Sequence, residues 1–429
     1  MRTFVAILLL SATMAGCTSS TDSSSPAESA APSDSATPVA SSTTTPTPSS
    51  IATPTLSPRP TPTPVGPLTF VATGSMHTAR ANATATLLKT GKVLITGGDT
   101  SPGNLTNEYY ATAELYDPAT GTFTPTGSMH SARAGAAAAL LSNGKVLIAG
   151  GEGCSSPKDC SDGAGNHAQS LASAELYDPE SGKFARTGSM TAPRAYGAAA
   201  VLPDGRVLVV GDDSAAADLY SLESGKFVSG SEPIIEPPVT ATFLPTNGKV
   251  LVTGDSASGF LAQLYDEHNR KFTTISLALP AGTRSADYQG LPVPRSGEPS
   301  AAALLKDGGV LLFDNGYLET YDPTSGKCED AGFVSPAAQW LDPTATLLPD
   351  GSMLLEGGAL WPQSSVESRG EPTNAAVLYY PTDRTTRTGS MAAAREFETA
   401  TLLPDSSILI AGGRDENNSA LASAELFKP

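Results

Sequence analysis

One unit of sequence recurs seven times along this chain, with equivalent turns 43 to 61 residues apart. Each turn separates two short apolar runs, as in Lys-Thr-Gly-Lys at 89–92 and Ser-Asn-Gly-Lys at 142–145. The seven copies are numbered in chain order from the turn residues Gly91, Gly144, Gly205, Gly248, Gly308, Gly351 and Ser406. After residue 66 no long segment has the 3.6-residue period of an amphipathic helix. A repeat of this length, built from short apolar runs, predicts an all-β fold of similar stacked units.

Each copy predicts four strands. A run such as ATATLL (83–88) precedes the Asn-Gly or Asp-Gly turn, which predicts a tight two-residue hairpin with positive φ angles. Runs such as KVLITGG (92–98) and AELYDP (113–118) supply the next two strands, and DPATG (117–121) predicts a second hairpin. The last strand begins with an aromatic residue in copies 1 to 4, whereas copy 5 has Cys328 there. We interpret Cys328 as a buried packing residue.

The two ends of the repeat region predict a closed ring. The last copy stops at AELFKP (424–429) without a fourth strand, and PLTFVATG (67–74) looks like that missing strand. Pairing between them would leave no open sheet edge. The Gly-Gly, the Tyr-Asp-Pro and the spacing resemble the kelch repeat over residues 67–429, although copies 3 to 5 lack the Gly-Gly. The resemblance implies a seven-bladed kelch-type β-propeller closed by its N- and C-terminal strands.

The N-terminal 66 residues predict export and a spacer. Arg2, a short apolar run and Met-Ala-Gly before Cys17 resemble a bacterial lipoprotein signal, which implies cleavage after residue 16 and lipid on Cys17. An ordinary secretory signal with an incidental cysteine is the alternative. Residues 17–66 are almost wholly Ser, Thr, Pro and Ala, a composition that predicts a disordered linker. We therefore expect an extracytoplasmic protein, anchored by lipid to the bacterial membrane at the cell surface or in the periplasm.

Charge and cysteine usage limit the partners. The formal net charge is −17, which argues against nucleic acid and against binding to anionic lipid heads. The N-terminal lipid is thus the expected membrane contact, and we expect a monomer. Cys154 and Cys160 lie in one segment and predict a disulfide in an oxidising compartment.

Alternating strand direction predicts that the irregular segments share one face. They are 99–112, 152–173, 359–376 and 414–423, in copies 1, 2, 6 and 7. Variable loops on a rigid scaffold commonly bind ligands. We name Tyr109, Tyr110, Trp361 and Arg369 as candidate ligand contacts on this loop face.

Arginine stands eleven residues before the turn in four copies, as Arg80, Arg133, Arg194 and Arg395. Neighbouring guanidinium groups could bind a carboxylate or sulfate ligand by bidentate hydrogen bonds. The alternative is structural. The same four copies carry an acid in the third strand: Glu114, Glu175, Asp218 and Glu425. Of the other three copies, only copy 5 has an acid there, Glu319. This joint retention favours an ion pair, while the anion site stays open.

Catalytic motifs are absent from the sequence. Gly-Lys is followed by Val, Phe or Cys, not by the Ser or Thr of a phosphate loop, and neither His-Glu-x-x-His nor Gly-x-Ser-x-Gly occurs. The galactose-oxidase family, which resembles kelch propellers, uses two histidines, two tyrosines and a cross-linked cysteine to hold copper, and no matching set appears. We therefore expect no metal and no cofactor. The favoured function is a non-catalytic binding module for a protein or carbohydrate; the alternatives are a sugar isomerase or mutarotase, a copper-radical oxidase, or an assembly subunit.

Overall fold

Strand formation follows the apolar runs of the repeat. The structure is a computed structural model that describes residues 67–100, 108–154, 169–211, 216–231, 236–255, 261–276, 301–314, 316–334, 339–361 and 370–429. Within these residues every regular element is a β-strand, and no helix could span a membrane. The predicted signal peptide, Cys17, the linker, Cys160 and Arg369 lie outside the described residues.

The strands are short and belong to the seven copies in order. Before copy 1 comes β1 (Thr69–Ala72). Copy 1 has β2 (Thr84–Leu87), β3 (Val93–Thr96), β4 (Ala113–Asp117) and β5 (Thr122–Pro125). Copy 2 has β6 (Ala132–Ala134), β7 (Ala137–Leu140), β8 (Val146–Ala149), β9 (Glu152–Cys154), β10 (Gln169–Ser170), β11 (Ala174–Asp178) and β12 (Lys183–Arg186). Copy 3 has β13 (Ala198–Val201), β14 (Val207–Val210), β15 (Asp218–Ser221) and β16 (Lys226–Ser229).

The remaining copies continue in the same way. Copy 4 has β17 (Glu236–Leu244), β18 (Lys249–Asp255), β19 (Leu261–Asp266) and β20 (Lys271–Thr274). Copy 5 has β21 (Ala301–Leu304), β22 (Val310–Asp314), β23 (Tyr317–Asp322) and β24 (Lys327–Phe333). Copy 6 has β25 (Gln339–Leu341), β26 (Thr344–Leu347), β27 (Met353–Glu356), β28 (Ala359–Trp361) and β29 (Glu371–Tyr380). The long β30 (Thr385–Leu402) leads from copy 6 into copy 7, which continues with β31 (Ile408–Arg414) and β32 (Ala424–Lys428).

Four main strands of each copy pair antiparallel in chain order. Copies 1 to 5 each form a separate four-stranded sheet, whereas β30 joins copies 6 and 7 into one larger sheet by pairing with β29 and then with β31. The first strands of successive copies lie against each other, and β30 contacts both β26 and β2. Apolar side chains from adjacent copies fill the spaces between sheets, as where Leu94 packs with Val146 and Tyr177.

The N-terminal strand joins the last copy, as the sequence predicts. Strand β1 pairs antiparallel with β32 from Thr69 opposite Lys428 to Ala72 opposite Glu425. Phe70 packs on Phe427 with ring centroids 5.4 Å apart. Copy 7 thus obtains its fourth strand from the start of the repeat region.

The first hairpin differs from the predicted two-residue turn. In copy 1 the amide of Leu88 donates to the carbonyl of Lys92, and Gly91 donates back to Leu88, so the loop has three residues. Only its last residue is left-handed, with φ of 82° at Gly91 and 85° at Gly144. The prediction of two positive φ angles was wrong because a type I turn followed by a left-handed glycine also joins antiparallel strands without splaying them. The second hairpin has its predicted left-handed glycine, at Gly121.

Two further expectations need correction. The predicted loops 152–173 and 359–376 contain strands, since β9 pairs with β10 and β28 pairs with the start of β29. Cys328 lies opposite Tyr321 in the strand register but is only partly buried. It packs at the margin of a cluster around Tyr321, so the predicted packing role is confirmed while the burial is only partial.

Candidate functional site

The four repeated arginines lie fully inside the protein and contact the acids of the third strands. Their relative exposures are 0% or 1%. Each guanidinium also donates to the carbonyl of a glycine at or near the end of the second strand, for instance from Arg80 to Gly97 at 2.6 Å. The ion pairs are Arg80–Glu114 at 3.1 Å, Arg133–Glu175 at 3.3 Å, Arg194–Asp218 at 2.6 Å and Arg395–Glu425 at 3.0 Å. We call this arrangement the arginine brace.

The acids of the brace also hold the incoming chain. Glu114 accepts hydrogen bonds from the backbone amides of His77 and Thr78 and from Nδ1 of His77. Burial raises the pKa of Glu114, but the hydrogen bonds from His77 and Thr78 and the Arg80 charge outweigh burial and leave the pKa below its ordinary value. His130 makes the same contacts with Glu175. The two histidines are therefore structural neighbours of the brace.

Copy 6 replaces the brace with a neutral contact. Trp340 stands where the other copies have arginine, and its indole N–H donates to the carbonyl of Gly357 at 2.7 Å. This is the same donation that Arg80 makes to Gly97. The acid position of copy 6 holds the apolar Val377, which pairs with Leu355. Copy 6 thus replaces both the arginine and its acid, by tryptophan and valine. These contacts favour the structural role of the arginines over an anion site.

A second set of residues lies where each chain enters its first strand. Asn82, Gly135, Tyr196, Asp342 and Phe397 occupy equivalent positions and have φ between 50° and 58°. Backbone hydrogen bonds link four of them in sequence, from the amide of Asn82 to Phe397, from Gly135 to Asn82 and from Tyr196 to Gly135. We call these five positions the inner turns. The left-handed backbone, which is costly for non-glycine residues, is held by this chain of hydrogen bonds.

The inner turns carry polar side chains held by residues that follow the Gly-Gly. Asn82 donates to Asp99 at 3.3 Å, and the Tyr196 hydroxyl donates to Glu152 at 3.1 Å. Arg414 pairs with Glu396 and lies 4.6 Å from the ring centroid of Phe397. We call Asn82, Asp99, Glu152, Tyr196 and Arg414 the inner-turn cluster.

Electrostatics of the inner-turn cluster keep Tyr196 neutral. Burial and the charges of Glu152 and Asp99 raise the pKa of Tyr196 far above its ordinary value. Its hydroxyl therefore acts as a hydrogen-bond donor and not as a base. Asn82, Glu152 and Tyr196 are half-buried, so a ligand can contact them without unfolding of the turn. The sequence did not predict this cluster. An alignment of the copies would have shown that the inner turn always lies two residues after the arginine position.

The candidate contacts of the loop face lie only partly within the described residues. Tyr109 is 7% exposed and packs with Ala132, Ala134 and Cys154. Tyr110 is half-buried and lies beside the Arg80 guanidinium, 5.6 Å from ring centroid to guanidinium carbon. Trp361 ends β28. Of the two tyrosines, Tyr110 is therefore the one that lies partly at the surface. Trp361 and Arg369 stay predictions.

A cavity of about 360 Å³ lies beside the copy 2 brace. Its lining includes Ser131, Ser173, Glu175, Arg186 and Pro193. Because Glu175 is already held by Arg133 and by the amides of 130 and 131, the cavity offers a ligand mainly hydroxyl groups and the Arg186 guanidinium.

Comparison with known proteins identifies the fold but no family. No protein-family model and no curated protein sequence matches the chain. Many solved structures resemble it. One is described as a novel fungal alcohol oxidase with catalytic diversity among the AA5 family, in complex with copper; it is 16% identical, has a TM-score of 0.58, and the match covers 85% of this chain and 76% of that one. At this identity the likeness shows the fold alone, which is all-β and propeller-like.

Proposed function

We propose that the seven copies are the blades of a closed propeller. Three features support the proposal: four main strands in every copy, contacts between the first strands of successive copies, and the pairing of β1 with β32. The first strands would surround the axis. The inner turns, which enter those strands, would then surround one mouth of the ring.

On this scaffold we propose a non-catalytic binding module whose ligand contacts the inner-turn cluster and the adjacent loop face. The observation that carries the proposal is the half-buried Tyr196 hydroxyl held against Glu152, together with Asn82, which donates to Asp99, whose charge also acts on Tyr196. A neutral phenol, a carboxylate and an amide suit a ligand rich in hydroxyl or amide groups, because they offer both donors and acceptors. Such a ligand is a carbohydrate or a polar segment of a protein.

We further propose that the module is displayed outside the cytoplasm. The lipobox-like segment that ends at Cys17 and the Ser/Thr/Pro-rich linker support a lipoprotein held away from its membrane by lipid on Cys17. A disulfide between Cys154 and Cys160 belongs to the same proposal, and Cys154 lies 3% exposed at the end of β9. Mass spectrometry of the native protein tests both modifications: loss of residues 1–16 with a diacylglyceryl mass on Cys17, and linked peptides containing Cys154 and Cys160.

A binding experiment tests the ligand proposal. The wild-type protein is applied to a glycan array and used to capture proteins from envelope extracts, beside Tyr196→Phe, Glu152→Gln and the control Lys145→Ala. Lys145 pairs with the half-buried Asp178 at 3.2 Å, next to the first hairpin of copy 2. We expect Tyr196→Phe and Glu152→Gln to weaken capture of the same ligand about tenfold each, the effect of one lost polar contact, and Lys145→Ala to leave it unchanged. Equal capture by all four proteins would contradict a ligand site at the inner turns.

The solved alcohol oxidase suggests a second candidate, copper-dependent oxidation. The described residues do not fit that site. His77 and His130 each lie against a brace carboxylate, His268 is exposed beside Asp266, and no group of three or more His, Cys, Asp or Glu side chains in the described ranges is placed to hold a metal ion. We expect no hydrogen peroxide from the copper-treated protein with galactose or a primary alcohol under oxygen; sustained peroxide production would favour the oxidase.

A further inference from the structure

Two glutamates are buried together where copy 6 meets copy 7. Glu356 ends β27 with 0% exposure, and Glu398, in β30, is 9% exposed. Within the described residues neither carboxylate oxygen of Glu356 has a hydrogen-bond partner, and the same holds for Oε2 of Glu398. Three buried acceptor atoms without a donor are unusual in a native protein, because each loses its hydrogen bonds to water without replacement.

Thr344 lies between the two carboxyl groups. Its hydroxyl donates to Oε1 of Glu398 at 2.8 Å, and in the strand register it stands opposite Glu356. In copies 1 and 4 the equivalent paired positions both hold threonine. The two hydroxyl oxygens are 2.7 Å apart in the pair Thr84–Thr96 and 2.6 Å apart in the pair Thr240–Thr253, so side chains at these positions lie on the same face and touch. Glu356, Thr344 and Glu398 therefore converge on one place at this interface.

The charge of the two carboxylates is not balanced by a cation of the described chain. Arg395 is the cation whose charge acts on both, but it already pairs with Glu425 and donates to the carbonyl of Gly412. Burial raises the pKa of Glu398 to about 7 and raises that of Glu356 well above its ordinary value. Burying an anion without a counter-ion costs several kcal/mol, so the site needs either a proton or a metal ion.

We propose that Glu356, Glu398 and Thr344 bind a hard divalent cation, Ca²⁺ by preference, at the interface between copies 6 and 7. Two carboxylates supply four oxygens and the threonine supplies a fifth, whereas Ca²⁺ takes six to eight oxygen ligands and completes its shell with water. The donors are all oxygen, which disfavours soft metals. A bound ion would link β27 of copy 6 to β30 of copy 7. This inference does not depend on the proposed ligand function.

The interface between copies 1 and 2 provides the matched control. It has Thr96 where Glu356 stands and Ala136 where Glu398 stands, and its Thr84–Thr96 contact is made without charge. The double variant Glu356→Thr/Glu398→Ala therefore gives copies 6 and 7 a combination of side chains that this fold already packs. The single variant Glu356→Gln keeps the shape of the side chain and removes its charge.

Calorimetric titration with CaCl₂ and thermal unfolding of the EDTA-treated full chain test the proposal. For wild type we expect one ion per chain and a rise in Tm of about 4 °C at a Ca²⁺ concentration one hundred times the Kd. Glu356→Gln should weaken Ca²⁺ binding at least tenfold, and the double variant should fold but show neither heat of binding nor a shift in Tm.

Two results would overturn the proposal. If Ca²⁺ and Mg²⁺ both leave the wild-type Tm unchanged, the two carboxyl groups hold a proton instead of a metal ion. If the double variant binds Ca²⁺ as tightly as wild type does, the ion binds elsewhere on the acidic surface.

Discussion

The arginine brace of copy 1 gives the sharpest stability prediction, for the substitution Glu114→Ala. Glu114 accepts from the amides of His77 and Thr78, from Nδ1 of His77 and from the Arg80 guanidinium. Without the Glu114 carboxylate, the Arg80 guanidinium, which is 0% exposed, loses its negatively charged partner. The backbone amides of His77 and Thr78 also lose their acceptor. Removing one partner of a buried ion pair costs about 3–5 kcal/mol, and we expect a loss of that size in the free energy of unfolding.

Urea unfolding followed by circular dichroism measures this loss. The control is Lys92→Ala, which breaks the exposed Lys92–Asp117 pair of the same copy, 3.0 Å long, and should leave the free energy of unfolding nearly unchanged. The double variant Arg80→Met/Glu114→Leu, which removes both charges, should recover part of the loss, because the amides of His77 and Thr78 still lack their acceptor. If Glu114→Ala unfolds at the wild-type urea concentration, the brace does not stabilise the fold, and the anion-site alternative for Arg80 regains support.

Three further predictions test the packing between copies. Burial raises the pKa of Glu398 to about 7 from its ordinary value near 4.5, so the folded protein keeps a proton that the unfolded chain releases. In the calcium-free protein the contribution of Glu398 to stability should therefore be fully present below pH 4.5 and fall by roughly 3 kcal/mol as the pH rises through 7; urea unfolding of wild type and of Glu356→Thr/Glu398→Ala over this range should show the fall only in wild type. Trp340→Phe leaves the carbonyl of Gly357 without its indole donor and should cost about 1–3 kcal/mol in the same assay; an unchanged midpoint would show that this contact does not replace the brace. Gly97→Ala places a methyl group 2.3 Å from the carbonyl oxygen of Arg133 and should prevent folding or lower Tm sharply. The control Gly248→Ala, whose new methyl group would have nothing within 4 Å, should cost only about 1–2 kcal/mol of backbone strain; equal Tm values for the two variants would contradict the close contact at Gly97.

Much of the architecture was predictable because the same pattern of apolar runs and turns occurs in seven copies. Apolar runs, turn glycines and the incomplete last copy were sufficient to predict four strands per copy and the pairing of β1 with β32. The joint retention of Arg80 and Glu114 in equivalent places predicted their contact. The turn type was not predictable, since a glycine after Asn or Asp suits both two- and three-residue loops.

The candidate sites were harder to predict because they depend on single copies. Tyr196, Glu152 and Asn82 occupy equivalent or adjacent positions, but their residue types differ from copy to copy, so no motif marks them. Glu356 ends an apolar strand, where the other copies have Thr, Ala, Val or Phe. Only Thr344, which stands opposite Glu356 in the strand register and donates to Glu398, shows which side chains share the interface. Contacts between side chains of different copies depend on how the copies pack, and the sequence pattern within one copy does not predict that packing.

Closure of the chain on itself is the central claim, and a designed cross-link tests it most directly. Thr69 and Lys428 are both exposed and stand opposite each other in the pairing of β1 with β32. Opposite residues of an antiparallel pair have Cα atoms about 4.5–5.5 Å apart, a separation that a disulfide spans. The variant Thr69→Cys/Lys428→Cys is oxidised and its peptides are mapped by mass spectrometry, with each single-cysteine variant as a control. Closure predicts a 69–428 disulfide within the monomer and a higher Tm; free thiols at both positions, or cross-links only between molecules, would contradict it.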